Sequence, residues 1–420
     1  MKQCLIIKVV ILVLAVVWAL AGIAGADPYH YRNTLVGSRA ASLGGAYTAL
    51  SDDTDGCFYN PGGIAMTPAT SVSASMNAYN KSKKTYKNVL VDTSGQHQDW
   101  VQESSILLPN YFGVVKKMGS GMLGLSYAVP DSILRRQDQT FNNIQSFQAG
   151  NPIEQFIINM DDSDQTYQFG PSYSLRLREN LSIGTTVYAH YRDKQIIRNQ
   201  VLLFQNGEHY WSNYYETQED WGFRPIIGVI WEPVEKVALG VTLSKIYLTS
   251  SDHRQQLLFR DTTDPDYANT NALLVNTATG NQKEEYPLTS TLGVAYFLSP
   301  RLLFSLDCAY YEAVEGKSSV VNFALGSEYY IKDNLAVRAA FYTDMANTKP
   351  LARDQIYQPE HIDIYNGSAS VSLFHGPSSI TLGLTYGYGK GEAQMIAAST
   401  SIQDVEYQNF SLFLATAYQF

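Results

Sequence analysis

Charge is scarce in this chain of 420 residues, of which 16% are Asp, Glu, Lys or Arg. Soluble domains carry about a quarter, so an ordinary soluble protein is disfavoured. Cysteine is scarcer still, with Cys4, Cys57 and Cys308 the whole supply. That excludes a disulfide framework, a Cys-x-x-Cys-His haem site and a cysteine-rich zinc site. The seven histidines form no His-Glu-x-x-His and no pair at i, i+4, so neither metal nor cofactor is expected. Past the N-terminus no apolar run reaches about 18 residues, which excludes a helical membrane bundle. Excess positive charge is also missing: 30 basic residues face 39 acidic ones, a balance of −9 that argues against nucleic-acid partners. No nucleophile motif is present, and an enzyme is not expected.

What the chain does have is tyrosine, 30 residues against 17 Phe and 5 Trp. Its apolar ring and polar tip suit boundaries between oil and water. At 45% hydrophobic, the chain lies far from disordered compositions. At the N-terminus, Lys2 and Lys8 precede an apolar stretch from Val9 to Ile23 that ends in Ala24-Gly25-Ala26. This predicts a signal peptide over residues 1–26, cleaved before Asp27; the alternative is a retained anchor. With residues 1–26 removed, 28 basic and 39 acidic residues remain, a balance of −11. Cysteine is absent just after the cleavage site, so lipoprotein processing is not expected.

From Ala69 onward one theme recurs, an alternating segment of about ten residues followed by a turn. Leu302, Phe304, Leu306, Cys308 and Tyr310 share one parity, opposite Leu303, Ser305, Asp307, Ala309 and Tyr311. Leu335, Val337, Ala339 and Phe341 likewise oppose Ala336, Arg338, Ala340 and Tyr342. Alternation alone fits a soluble sandwich as well as a barrel in lipid, and connection lengths decide between them. Tight turns at Glu179-Asn180, Ser299-Pro300, Lys332-Asp333 and Gly376-Pro377 alternate with long polar stretches near residues 131–163, 194–214, 249–284 and 345–367. The expectation is an all-β fold: a 14-stranded antiparallel transmembrane β-barrel over residues 69–420, with both termini on the periplasmic side. Phe410, Leu412, Leu414, Thr416, Tyr418 and the terminal Phe420 share one parity, which resembles the outer-membrane assembly signal and makes Tyr418 and Phe420 its candidates. Cys308 falls on the lipid face and Cys57 precedes the barrel, so the two are predicted not to pair.

Residues 27–68 have a different character. They include Gly37-Ser38-Arg39-Ala40-Ala41-Ser42-Leu43-Gly44-Gly45-Ala46-Tyr47 and, further on, Phe58-Tyr59-Asn60-Pro61-Gly62-Gly63-Ile64-Ala65. Gly44, Gly45, Ala46 and Ala49 are small enough for close backbone packing, and Asn60-Pro61 restricts a turn. Asp53, Asp55 and Gly56 read as a solvated acidic turn, because Ser51 fills the first position of a calcium loop and no Glu closes it. The segment resembles the N-terminal signature of the outer-membrane long-chain fatty acid and aromatic hydrocarbon transporters, the FadL/TodX type. The resemblance implies a hatch plugging the lumen, carried by Arg39, Gly44, Gly45, Ala46, Asn60, Pro61 and Gly62. It leaves open whether the hatch is a fixed stopper or a moving gate. The family usually reads Asn-Pro-Ala where this chain has Gly62, which suggests a more mobile turn.

The function so implied is passive uptake of hydrophobic small molecules, long-chain fatty acids or hydrocarbons, captured by extracellular loops and passed to a lumenal pocket gated by the hatch. Lateral exit in that family runs through a kinked third strand, here marked by Gly121, Gly124 and Pro130; the alternative is that Pro130 starts a loop. Ile133, Leu134, Phe141, Ile144, Phe147, Phe156, Ile157 and Ile158 in the following stretch suggest a greasy ligand-entry loop, or a loop packed on the rim. Lumenal parity places Arg176, Arg178, His190, Arg192, Asp307, Glu328 and Arg338 inside. Of these Arg176, His190 and Arg338 are candidates for a ligand carboxylate, or for ion pairs bracing the wall. Expected partners are outer-membrane lipid and lipopolysaccharide, a hydrophobic ligand and the barrel-assembly machinery. The alternative function is a barrel scaffold, a subunit of a secretion or electron-transfer complex with a periplasmic or membrane partner protein.

Overall fold

A computed structural model of the chain describes residues 29–146, 151–263, 274–281, 283–396 and 399–420. The expected signal segment and Phe147 lie outside the described residues. The strands are β1 (Ser71–Val91), β2 (His97–Met118), β3 (Gly121–Ile144), β4 (Ile153–Arg178), β5 (Leu181–Phe204), β6 (His209–Val234), β7 (Val237–Ser244) and β8 (Tyr247–Asp261). They continue with β9 (Leu274–Gly280), β10 (Thr289–Ser299), β11 (Leu302–Tyr311), β12 (Val320–Lys332), β13 (Leu335–Asp344), β14 (His361–His375), β15 (Ser378–Ala393) and β16 (Gln403–Gln419). β7 and β8 are two halves of one wall strand, both pairing with β6, and β9 and β10 are halves of the next. The wall therefore has the expected fourteen strands. It closes antiparallel through β1 and β16, and Phe420 N donates to Thr70 O beside that seam.

Six tight hairpins join the strands at one rim, among them Met118 to Gly121, Ser299 to Leu302 and His375 to Ser378. Outward positions hold the predicted apolar belt: Phe304, Leu306 and Tyr310 on β11, Phe341 on β13, and Phe410, Leu414, Tyr418 and Phe420 on β16 are all exposed. Their inward neighbours Ser305, Asp307, Arg338 and Ser411 are buried. Only lipid makes such an outer face favourable, because a soluble protein rarely exposes apolar patches of this extent. Outside the wall Tyr127, Tyr167, Tyr191 and Trp221 stand in a row of ring contacts 6.5, 6.1 and 4.4 Å apart, an upper aromatic girdle. Cys57 and Cys308 are unpaired, as expected.

The structure departs from the sequence reading above that girdle. Residues 131–144, 153–163, 194–204, 209–214 and 249–261 of the long polar stretches are not loops but the upper parts of β3 to β6 and β8, strands of up to 26 residues where about ten would cross the bilayer. Their polar residues are paired inside the extension: Arg198 with Asp162 at 2.8 Å, and Lys194 with Glu216 at 2.7 Å. Phe141, Ile144 and Phe156 do not line an entry loop. They pack with Trp100, Tyr86, Ile158, Phe204, Ile362 and Val405 into a buried apolar cluster of the strand extensions. The Trp100 ring lies 6.0 Å from Phe141 and 5.9 Å from Phe156. Truncating Phe141 to alanine should therefore cost about 3–5 kcal/mol of local stability in the extension. Hydrogen exchange of β3 and β4 checks this; loss of ligand uptake without faster exchange would return Phe141 to an entry role.

Candidate functional site: the filled lumen

Residues 29–70 run inside the barrel. They form two short helices, α1 (Arg39–Ser42) and α2 (Gly56–Tyr59), and a 3₁₀ turn over Pro61–Met66. Helices this short cannot stand alone. What holds them is a set of polar contacts to themselves and to the wall. Asp55 accepts the amides of Ser38 at 2.8 Å and Arg39 at 3.1 Å, and Gly37 reaches this position with φ +83°. Asp307 of β11 accepts the amides of Tyr47 at 3.1 Å and Thr48 at 2.9 Å. Asn60 donates to Thr48 O at 2.7 Å and to Val229 O of β6 at 3.0 Å, while its Oδ1 accepts from Gly62 N at 3.0 Å.

The wall is shaped to receive this segment. Gly184 and Gly228 point inward where Asn60, Pro61 and Gly62 pass; a methyl group on Gly184 would lie 2.8 Å from Gly62 N, and one on Gly228 would lie 2.9 Å from Pro61 Cδ and run into Asn60 Oδ1. Gly113, Gly124, Gly240, Gly293 and Gly326 face Thr54, Cys57, Thr48 and Leu43 in the same way. Glycine in a strand interior marks a close backbone approach, and here these inward glycines trace the footprint of the segment. Gly62 is itself required by contact, since its methyl would sit 2.8 Å from Gly228 O, so this glycine serves contact rather than the turn mobility expected of it. Gly44 and Gly45 take φ +65° and +80°, and Ala46 packs against Ala324 and Tyr342. The acidic turn is not solvated as a whole: burial, with Asp52 adding to it, pushes the Asp53 carboxyl up to about 6.

Two of the charges read as lumenal, Glu328 and Arg338, form one cluster with Arg39 and Asp52 of the segment. Arg39 binds Glu328 at 2.9 Å and Asp52 at 2.6 Å, and Arg338 pairs with the same Glu328 and donates to Ser372 Oγ at 2.5 Å. Arg338 is therefore committed to bracing and is not a free ligand contact. Arg176 stands at the periplasmic end beside Met66. The expected gap residues separate. Gly121 and Gly124 lie in the paired part of β3, and a methyl group on Gly124 would lie 2.6 Å from Cys57 Sγ, so they do not weaken the wall. Pro130 sits where the pairing of β3 with its neighbours is interrupted. β2 and β3 pair at Tyr111–Ala128 and next at Glu103–Arg136, and the register to β4 shifts between Ala128 and Asp131. A small recess there is lined by Ser104, Ile106, Ser132, Ile133 and Leu134.

His190 lies elsewhere, in a cavity of about 240 Å³ above the segment. Its floor and sides include Tyr31, Arg32, Phe58 and Tyr59 of the segment, Gln168, His190, Arg192, Arg224 and Asp307 from the wall, and Tyr286. Residues 283–288 leave the sheet between β9 and β10 and close one side. There Glu284 meets Arg192 at 2.6 Å and Lys317 at 2.5 Å. Burial alone would raise the Glu284 carboxyl; the two cations outweigh it and hold the group at about 2. Arg224 and Tyr286 were not singled out from sequence, although the parity of β6, with Trp221, Phe223 and Ile227 outside, puts Arg224 indoors.

No family model and no curated protein matches the chain. Solved structures do. A FadL homologue from Pseudomonas aeruginosa superposes with a TM-score of 0.64 at 13% identity, over 93% of this chain and 100% of that one. The toluene transporter TodX of Pseudomonas putida gives 0.65 at 13% identity, over 93% and 99%. The toluene transporter TbuX of Ralstonia pickettii gives 0.59 at 12%, again over 93% and 99%. With its lipid-facing belt, closed fourteen-strand wall and full-length superposition, the chain has the fold of the FadL/TodX-type barrels, an architecture of the Gram-negative outer membrane.

Proposed function

We propose that the protein is a passive outer-membrane transporter for hydrophobic small molecules, long-chain fatty acids or hydrocarbons. In this reading residues 27–68 are a hatch, the cavity above them receives the ligand, and the interruption at Pro130 is a lateral exit. The observation that carries it is the placement of the cavity. It lies against residues of the N-terminal segment itself, so movement of that segment changes both the cavity and the path beneath it. The fold is shared with proteins named as toluene transporters, which supports a hydrophobic cargo. Tyr418 and Phe420, exposed at the end of β16 with rings 4.8 Å apart, are proposed to be read by the assembly machinery.

Ala46 of the segment packs in one cluster with Ala324 of β12. An Ala46→Cys, Ala324→Cys pair staples them. Oxidised cells expressing it should take up labelled fatty acid or toluene at least about tenfold more slowly than reduced cells. Uptake indifferent to the staple would mean that the segment is a fixed stopper.

A further inference from the structure

We propose that the outer face of β15, β16, β1 and β2, just above the apolar belt, binds the bisphosphorylated sugar headgroup of lipopolysaccharide in the outer leaflet. This goes beyond the uptake reading and holds whatever the cargo.

Charge on the outside of the wall is segregated. On one side the girdle rings Tyr167, Tyr191 and Trp221 are followed, two residues further up each strand, by Gln165, Asp193 and Glu219, with Asp252 of β8 next in register. Three carboxylates stand at the headgroup level there, with Arg254 beside Asp252 at 3.4 Å. On the other side the rings are Tyr386, Phe410 and Tyr79, the last two 6.4 Å apart. Lys81 lies level with Phe410, Lys83 with Gln408 and Lys390 with Glu406, so the cations begin where the rings end. Lys81, Lys83, Lys87 and Lys390 are all exposed, whereas the inward Lys84 and Lys194 are buried and paired. An outward cation is tolerated on a barrel strand at the polar boundary of the bilayer, and a cluster of them there fits an anionic lipid headgroup.

The four ammonium groups come as two pairs. Lys81 and Lys83 share Glu103 at 3.8 and 3.2 Å. Lys87 and Lys390 share Glu406 at 3.8 and 3.9 Å, and Lys87 also meets Asp99 at 3.3 Å. Contacts this long between exposed groups contribute little and yield readily to a stronger anion. Each ammonium has three N–H donors and meets at most two carboxylates here, so each keeps a donor for a phosphate oxygen.

The spacing of the pairs identifies the lipid. Glu103 on β2 and Glu406 on β16 flank β1, which sets the two pairs about 10 Å apart, two strand spacings. Between them lies a groove of about 290 Å³, floored by Thr85 and Val101 and rimmed by Lys83, Lys87, Asp99, Glu406 and Gln408. That is the volume of about ten waters, the scale of a phosphorylated sugar, and Thr85, Asp99 and Gln408 supply partners for its hydroxyls. Directly below, Leu382, Leu384, Leu414 and Leu107 are exposed and offer a surface for acyl chains. A disaccharide with a phosphate at each end spans both pairs. A glycerophospholipid carries its phosphate at a single point and satisfies one.

Titration of the full barrel followed by native mass spectrometry, in EDTA to exclude bridging metal, tests this with three probes: bisphosphoryl lipid A, monophosphoryl lipid A and phosphatidylglycerol. Bisphosphoryl lipid A should bind most tightly, at least about threefold better than the monophosphoryl form. Replacing Lys81, Lys83, Lys87 and Lys390 together by Gln should weaken it at least about tenfold. Lys81→Gln with Lys83→Gln, or Lys87→Gln with Lys390→Gln, should fall between and covers the case in which the fourfold variant does not assemble. Glu406→Gln frees Lys87 and Lys390 and should tighten binding. Lys116→Gln with Lys117→Gln, exposed at the hairpin rim, is the control and should change nothing. Lipid A binding indifferent to the fourfold and paired variants, or absent from the wild type, would overturn the proposal. So would weaker binding by Glu406→Gln, or loss of binding in the rim control. Phosphatidylglycerol bound as tightly as bisphosphoryl lipid A would overturn the assignment to lipopolysaccharide. Uptake of labelled fatty acid or toluene is read separately on the same variants, so the transport reading stands or falls by itself.

Discussion

Gly228→Val is expected to expel the N-terminal segment from a barrel that otherwise assembles normally. Valine suits a strand, and the outer face of β6 is untouched by it. Indoors, the first carbon of the new side chain would occupy the place of Asn60 Oδ1 and crowd Pro61 Cδ, 2.9 Å away. Asn60 is completely buried, and its amide is shared among Thr48 O, Val229 O and Gly62 N. It cannot yield without dropping those bonds. Overpacking costs about 1–3 kcal/mol and each lost hydrogen bond about 0.5–1.5, so the docked state should lose on the order of 2–5 kcal/mol. Gly367→Ala is the control, because the nearest atom its methyl meets is Ala340 O at 3.8 Å. The readouts are planar-bilayer conductance and hydrogen exchange over residues 38–66. Current and fast exchange are expected for Gly228→Val alone. Unchanged protection there would show that the segment is not seated on the glycine footprint.

Glu328→Leu is expected to have a comparable effect through charge. Glu328 is buried and serves two guanidiniums, Arg39 of the segment and Arg338 of the wall. Removing one member of a buried pair leaves charge uncompensated and costs about 3–5 kcal/mol. Here the loss falls on segment and wall together. Arg39→Met is milder, since the Glu328–Arg338 pair survives it and Asp52, the other partner of Arg39, is partly exposed. Its expected cost is about 1–3 kcal/mol. The double variant should fall short of the sum, because both substitutions remove the same contact. Exchange over residues 38–66 reports docking, and heat-modifiable migration on gels reports the wall. A Glu328→Leu protein with full protection of residues 38–66 would mean that the salt bridge contributes nothing to seating.

The alternation on β11, β13 and β16 was legible because lipid acts on every second residue. Phe304 and Phe341 outside, and Asp307 and Arg338 inside, follow from parity alone. The same rule fails above the girdle, where both faces of β3 and β4 meet polar surroundings. Asp162 reads as a loop residue, yet it is a buried inward position paired to Arg198. Polarity marks a loop only by correlation; pairing of the ladder decides. The inward glycines misled in another way. A strand glycine reads as a weakness, and Gly124 was taken for part of a gap, whereas it leaves room for Cys57.

Within the candidate site, residue types were legible and partnerships were not. Arg39, Glu328 and Arg338 could each be placed in the lumen, but Arg39 and Glu328 are 289 residues apart, and only the closed wall brings them within 2.9 Å. The same closure separates Arg338, which is committed to that carboxylate, from Arg224, which has none among the described residues. The sequence by itself determined the barrel, its strand number and its lipid face, because these depend on local period and composition, whereas the filling segment was legible only through the resemblance of its signature. The tertiary structure alone decided which charges neutralise one another and which glycines carry the segment, because each depends on what a distant stretch of chain places opposite.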